Sequence, residues 1–597
     1  MSFSLAASLF YITVTLAAVL GFYLYAKSDT MLYAGTWIPI SFLALMGYQT
    51  LISGLLSLVK IKVNIISVGL FNLAAAAVLW FFIIRNKKIQ KYKFEWADFA
   101  SGLLIFAAIL WVINKRYGAD LNPTYNSVDP SVHFKSARNV INNQRVWGMY
   151  YSALHNGLLI ETLGAFVKAA DIYKIYVAGD ILHLILAGVM FWGVIRSYAK
   201  DNMLRIVGII ATPMYTMGYP LNSTLFGFSY LGMGVTVVAF IVAAADIYTK
   251  DEINKKWSIV LLSLGCYSIF QSYVLFMPVV FFSLLACALV KQFKDKKLIS
   301  LSTVWIGLSI FLPATILGLW YTYGGIFGSS GSGGTGGGTT VASAINIEGG
   351  IYSDLYTNFI FMIPLALFGF VSIIRDKKNK YILYALSLEL VFMLAMLIKA
   401  VRREVSAYYY YKNYYMLWLI VWILFYMGIY YLEKNEKLIA VFTLGLWIMI
   451  TCMSYRDIEY RIAVKNPYLC SDYKAYDLSH IYSFNRTFLV ITDSYSEDKL
   501  DIYAYAVDNI LSEDKTYIPL AGSAEDYYWM QAITNQSDSD YQYWNKGADV
   551  FFLSLKEDDI HYIMVFKDND FYNNYIGYFG SMNRVYENET GFIGVVE

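Results

Sequence analysis

Charge is what this chain has least of. Asp, Glu, Lys and Arg together make up 15% of its 597 residues, against 58% hydrophobic residues, and the mean hydropathy is +0.48. A soluble protein of this size needs far more charge to cover its surface, so the composition excludes that class and leaves a polytopic membrane protein. Cysteine is almost as scarce, with four in the chain. Cys266, Cys287 and Cys452 fall within apolar runs and Cys470 stands alone in the C-terminal tail, so neither a disulfide framework nor a metal-ligand spacing can be built. The first apolar run lacks a basic flank and a small-residue cleavage site, and reads as a retained helix rather than a signal peptide. The triplets at Asn222, Asn485, Asn535 and Asn588 are no more than chance supplies in so Asn-rich a chain. No repeat relates the two halves, and no nucleic-acid partner is expected.

What is present is a long series of apolar runs. About 14 are long enough for a bilayer core of roughly 30 Å. They lie near 3–26, 36–59, 62–84, 98–114, 174–195, 204–218, 224–248, 258–272, 274–290, 299–322, 357–374, 381–400, 413–432 and 437–453. The short pair 258–272 and 274–290 is also compatible with a re-entrant hairpin, which would bring the number to about 12. The basic loops 85–93, 196–205, 250–256, 291–297, 375–380 and 433–437 all fall on one side if the spans alternate, and the positive-inside rule makes that side the cytoplasm. The loops 115–173, 323–356 and 399–412, and the tail after Met453, are then external. The fold expected is a membrane domain over 1–454 followed by a small extracytoplasmic α/β domain over 455–597.

Within the first external loop, Asp129 is placed to cap a helix whose first residue is Pro130. Val132, Ala137, Val140 and Ile141 recur at helical spacing with Lys135, Arg138 and Arg145 on other faces, which predicts an amphipathic helix in the outer interface. A second apolar stretch, 150–170, contains His155 and Glu161. It reads as another juxtamembrane helix, because counting it as a span would invert every later loop. The glycine-rich segment 328–340 has no Gly-Lys-Ser/Thr ending and no preceding strand, and reads as a flexible external linker or lid. In the tail, 486–493 and 561–566 read as strands, 498–511, 524–533 and 569–577 as helices, and 587–596 as a closing hairpin.

Two features point to chemistry. Asp129 and His133 are four apart and share a helical face. Taken alone, the pair is explained by a helix cap and an interfacial histidine. The second feature is the loop 399–415, which places Lys399, Arg402, Arg403 and Lys412 on the side where basic residues should be few. Lipid headgroups would account for single cations, and an interfacial belt for tyrosines such as Tyr411. Adjacent arginines suit phosphate oxygens better. Asp180, His183 and Glu389 lie inside apolar runs, either as packed polar groups or as a proton relay.

The run Asp129-Pro130-Ser131-Val132-His133, followed by Ala137 and by His155-Asn156 before an apolar stretch, resembles the first external loop of the GT-C superfamily. These are integral-membrane glycosyltransferases that include protein mannosyltransferase and aminoarabinose transferase relatives. The resemblance implies an inverting transferase of the cell envelope that moves a sugar from a polyprenyl-phosphate-linked donor to a glycan, lipid or protein acceptor. Asp129 would be the catalytic base. His133, His155, Arg138, Arg402, Arg403, Lys412 and Tyr411 would contact substrate. Some relatives use a divalent metal, and many carry Asp-Glu where this chain has Asp129-Pro130, so a second carboxylate is missing. The alternatives from other classes are a lipid-linked oligosaccharide flippase and a non-catalytic surface-polymer assembly factor.

Overall fold

In lipid every backbone amide must be satisfied within its own segment, so long apolar runs become helices. The computed structural model describes residues 3–441 except 26–30, 87–88, 126–127, 147–150, 226, 295–300, 328–361, 377–379 and 403–406. It also describes 443–445, 448 and the range 495–596 without 512–516, 537–547 and 559. The glycine-rich segment, the strand expected at 486–493, and Arg403, Cys452, Cys470 and Asn485 lie outside the described residues.

The membrane domain contains α1 (Phe3–Leu24), β1 (Leu32–Tyr33), α2 (Ala34–Leu58), α3 (Ile65–Asn86), β2 (Tyr92–Lys93) and α4 (Trp96–Val112). It continues with α5 (Asp129–Asn143), α6 (Tyr151–Leu163), α7 (Ile172–Ile195), α8 (Asn202–Thr216), α9 (Tyr219–Leu225) and α10 (Ser229–Lys250). Then follow α11 (Lys255–Ser272), α12 (Met277–Lys294), α13 (Leu301–Phe327), α14 (Ile363–Asp376), α15 (Lys380–Val401) and α16 (Ala407–Asn435). Among the described residues nine helices are long and apolar enough to cross a membrane, and two shorter apolar ones span Val304–Leu317 and Ile363–Arg375. The chain is a polytopic helical membrane protein. At 13 residues α6 is too short to span, as expected. α11 and α12 have 18 residues each, about 27 Å of helix, and the run Val274–Phe293, which contains most of α12, is among the nine.

α7, α10 and α16 are buried nearly all round, whereas α1, α3, α4, α12 and α15 turn apolar faces outward. Water is absent from the bilayer core, so close contact rather than the hydrophobic effect holds such helices together. α14 and α16 show the consequence. A Cβ on Gly369 would lie 1.8 Å from the Leu424 carbonyl oxygen, and one on Gly428 would lie 1.9 Å from that of Leu365.

The two ends of the bundle differ. At the end of the basic loops, β1 and β2 pair in parallel with Leu32 opposite Tyr92 and Tyr33 opposite Lys93. Beside them the buried Arg196 sits 2.6 Å from Asp98 and 2.9 Å from Glu95, Arg205 is 2.7 Å from Glu95, and Trp192 donates to Asp98 at 3.1 Å. The sequence marks Arg196 and Arg205 only as loop cations; in the fold they pin α7 and α8 to the start of α4. At the opposite end lie α5 and α6. The Val63 amide donates to the Gln144 carbonyl at 2.7 Å, and Glu161 accepts the Ile65 amide at 2.9 Å, which occupies a free donor at the start of α3.

The C-terminal unit adds α17 (Glu497–Tyr505), β3 (Leu520–Ala521), α18 (Ala524–Thr534), α19 (Ala548–Glu557), β4 (Tyr562–Phe566), α20 (Asp570–Asn574), α21 (Ile576–Gly580), β5 (Asn583–Glu587) and β6 (Gly591–Val595). Its sheet has the order β3-β4-β6-β5, with β3 parallel to β4 and the other pairs antiparallel. β4 is buried on both faces because its alternate side chains enter two cores. Met564 and Phe566 pack toward Tyr503 and Trp529, while Ile563 and Val565 pack toward Phe551 and Phe579. The expected strand at 561–566, the helices at 498–511 and 524–533, and the hairpin are all present. α19 and β3 are additions.

Candidate active site at the start of α5

The helix predicted after Asp129 is there, displaced by one residue. Val128 occupies the N-cap position, Asp129 is the first helical residue, and Pro130 follows it in the first turn, where a missing N–H costs nothing. Asp129 is therefore not the N-cap residue expected, although its negative charge still favours the positive end of the helix dipole. The start of α5 is fixed from outside by Gly227, in the turn between α9 and α10. Gly227 has φ +76°, and a Cβ there would lie 2.4 Å from Pro130 Cδ. Glycine is needed both for the backbone conformation and for the contact.

That contact brings three elements together. From α5 come Asp129 and His133. From the α9–α10 corner come Phe228 and Tyr230, the latter with its ring 5.0 Å from His133. From the first turns of α16 comes Lys412, buried, with Nζ 3.2 Å from the centre of the Phe228 ring. Tyr273 lies 5.8 Å from Tyr230, and Tyr415, whose hydroxyl donates to Asn222, packs 4.8 Å from Tyr219. The result is a carboxylate, an imidazole and an ammonium gathered among aromatic rings at the α5 end of the bundle.

The electrostatics tie the groups together. Partial burial raises the Asp129 carboxyl above the ordinary aspartate value, while the Lys412 ammonium opposes that rise. Burial, reinforced by Lys412, pulls His133 down to about 4. His133 is therefore neutral at pH 7 and supplies a hydrogen-bonding imidazole, not a second positive charge. Among the described residues no three His, Cys, Asp or Glu side chains gather to hold a metal ion.

The remaining residues singled out by the sequence are dispersed. Arg138 and Lys135 turn to the C-terminal unit. His155 Nε2 lies 3.1 Å from Thr50 Oγ1 of α2, whose hydroxyl is also 2.8 Å from the Met46 carbonyl. Burial lowers His155 to about 3. Arg402 is exposed just beyond α15, and Tyr411 belongs to α16. Asp180 is a packed polar group: Tyr125 donates to it at 3.0 Å and Asn156 at 3.4 Å. Glu389 is fully buried, with both carboxyl oxygens unpartnered among the described residues. Sequence reasoning missed Phe228, Tyr230 and Asn222. The available signal was the break Tyr219-Pro220 to Gly227-Phe228 between two apolar runs, which marks irregular chain at the α5 end.

No protein-family model matches this chain, and no curated protein matches it. Among solved structures it is similar to an archaeal oligosaccharyltransferase from Archaeoglobus fulgidus, determined in complex with an inhibitory peptide and a dolichol-phosphate. The superposition has a TM-score of 0.43 at 11% identity, and covers 79% of this chain and 70% of the other. A likeness this low identifies neither the activity nor the substrate.

Proposed function

We propose that the protein is a membrane glycosyltransferase that moves a sugar from a polyprenyl-phosphate-linked donor to an acceptor on the extracytoplasmic face. The observation that carries this reading is the electrostatic interaction of Asp129 with Lys412, beside His133 and the Phe228 and Tyr230 rings. Asp129 and Lys412 come from loops far apart in sequence, and the GT-C resemblance had marked both. In this reading Asp129 takes the proton of the acceptor hydroxyl, and the acceptor oxygen bonds to the anomeric carbon. The bond from that carbon to the phosphate oxygen breaks, releasing polyprenyl phosphate. A single displacement of this kind inverts the anomeric centre.

Each group has a physical task. A partly buried carboxylate keeps enough basicity to act near neutral pH. Lys412 meets the charge that grows on the departing phosphate, where low dielectric strengthens the interaction. Arg402 and Arg403, on the segment before α16, would hold the donor phosphate by forked hydrogen bonds. Neutral His133 would orient the acceptor, and the aromatic side chains would stack on sugar rings. No step uses a metal.

The test is transfer by the purified protein in lipid from a polyprenyl-phosphate sugar to a glycan, lipid or peptide acceptor. Asp129→Asn keeps the shape of the side chain and removes the base. Its turnover is expected to fall by about 10²- to 10⁴-fold with the thermal midpoint unchanged. Wild-type turnover in the Asn variant would remove Asp129 from catalysis.

A further inference from the structure

α5 has two working faces. At 100° per residue, Arg138 lies about 180° around the helix from Asp129, and Lys135 and Asn142 fall near Arg138. Asp129 and His133 interact with Lys412, and His133 packs on Tyr230. The opposite face grips the C-terminal end of α18. Arg138 Nη1 donates to the carbonyls of Ala532 at 3.0 Å and Ile533 at 2.7 Å, and Lys135 Nζ donates to that of Gln536. Asn142 and Asn535 exchange two side-chain bonds at 2.8 and 3.3 Å. The Ala532 and Ile533 carbonyls are among those a helix leaves without intrahelical partners, and all three carbonyls sit at or just beyond the negative end of its dipole, where two cations are favoured. The far end of α18 is anchored in its own domain. Ser523 and Asp526 form a reciprocal capping box, and Lys499 holds Asp526 at 3.0 Å. The segment leading into α5 is tied to the same domain. Asn122 donates to Glu497 at 2.9 Å, and Tyr125 stacks on Trp529 at 6.1 Å.

We propose that the C-terminal domain is a positioning device for the catalytic helix, with Arg138 as its principal positioning residue, supported by Lys135 and Asn142. The proposal rests on the reading of Asp129 as the base. Arg138 never touches substrate; it acts by fixing the tilt of α5. Nine residues separate it from Asp129, about 13.5 Å along the helix. A tilt of about 10° at the latch would move the carboxylate by roughly 2 Å. Misplacement by about 1 Å can already cost on the order of 10²-fold in rate.

The experiment uses the full chain in lipid nanodiscs with Arg138→Ala, Arg138→Lys and Asn142→Ala. Hydrogen exchange of the 129–143 amides is followed beside steady-state transfer kinetics. The expected result for Arg138→Ala is faster exchange across α5 and a kcat lower by about 10- to 100-fold, with KM near wild type. Arg138→Lys should recover part of both, because an ammonium still reaches one carbonyl. Asn142→Ala should shift both in the same direction by less, and it serves in place of Arg138→Ala should that variant fail to fold. Faster exchange with unchanged kcat overturns the proposal, as does unchanged exchange. If the wild-type protein transfers no sugar at all, the functional reading fails, and the exchange data alone then decide whether Arg138 holds α5.

Discussion

Asp129, His133 and Lys412 form a small electrostatic unit in which each group changes the others. Lys412 favours the charged form of Asp129 against burial and disfavours charge on His133. In the proposed reaction Asp129 is a base and must be ionised, so activity should fall on the acid side through a pKa above the ordinary aspartate value. Neutral His133 should add no limb near pH 6.5. Lys412→Gln removes the group that lowers the Asp129 pKa. The acid limb of kcat/KM should therefore move to higher pH, with turnover lower by about 10²-fold from the lost phosphate charge. An unmoved limb in that variant would separate Lys412 from Asp129. Asp129 was legible in the sequence because a carboxylate at a helix start outside the apolar runs is conspicuous. Its partner was one of several cations in 399–415. Burial against Phe228 singles out Lys412, and burial is not written in local sequence.

At the scale of elements, α5 and α6 were foreseeable from helical periodicity, and their packing was not. Arg138 shows why. An arginine on an amphipathic helix reads as a substrate or headgroup ligand until the partner surface is known, and here that surface is the carbonyl end of α18, some 390 residues away in the chain. α19 was missed because Phe551, Phe552, Leu553 and Leu555 form too short an apolar run to separate helix from strand by period. β3 is only two residues long and exists through its pairing with β4. The α14–α16 contact makes a sharper test. Gly369→Leu must force two backbones apart, which should cost about 3 kcal/mol or more, read as a lower thermal midpoint in detergent. Because α16 carries Lys412, transfer should fall with it. A Leu variant as stable as wild type would mean that the helices do not pack through Gly369 and Gly428.

At the scale of the whole molecule, the arrangement of ends agrees with the alternation inferred from basic loops. Residues 32–33 and 92–93 meet in the β1–β2 pair at one end, and α5, α6 and the C-terminal unit gather at the other. The assignment of those ends to cytoplasm and exterior follows from charge and is open to direct labelling. In a background with Cys470 replaced by serine, Ser581→Cys should react with a membrane-impermeant maleimide on intact cells. Lys255→Cys should react only after permeabilisation, and the reverse pattern would invert the protein and place Asp129 on the wrong face for the proposed donor.

Composition and hydropathy by themselves determined that this chain lives in a membrane, which loops share a side, and that a small α/β domain follows the spans. These properties are sums over many residues, so single side chains scarcely alter them. Only the tertiary structure decided which cation meets Asp129, that Pro130 rests on Gly227, and that Arg138 donates to the carbonyls at the end of α18. Each of those contacts joins residues remote in the chain, and each depends on distance and burial in three dimensions.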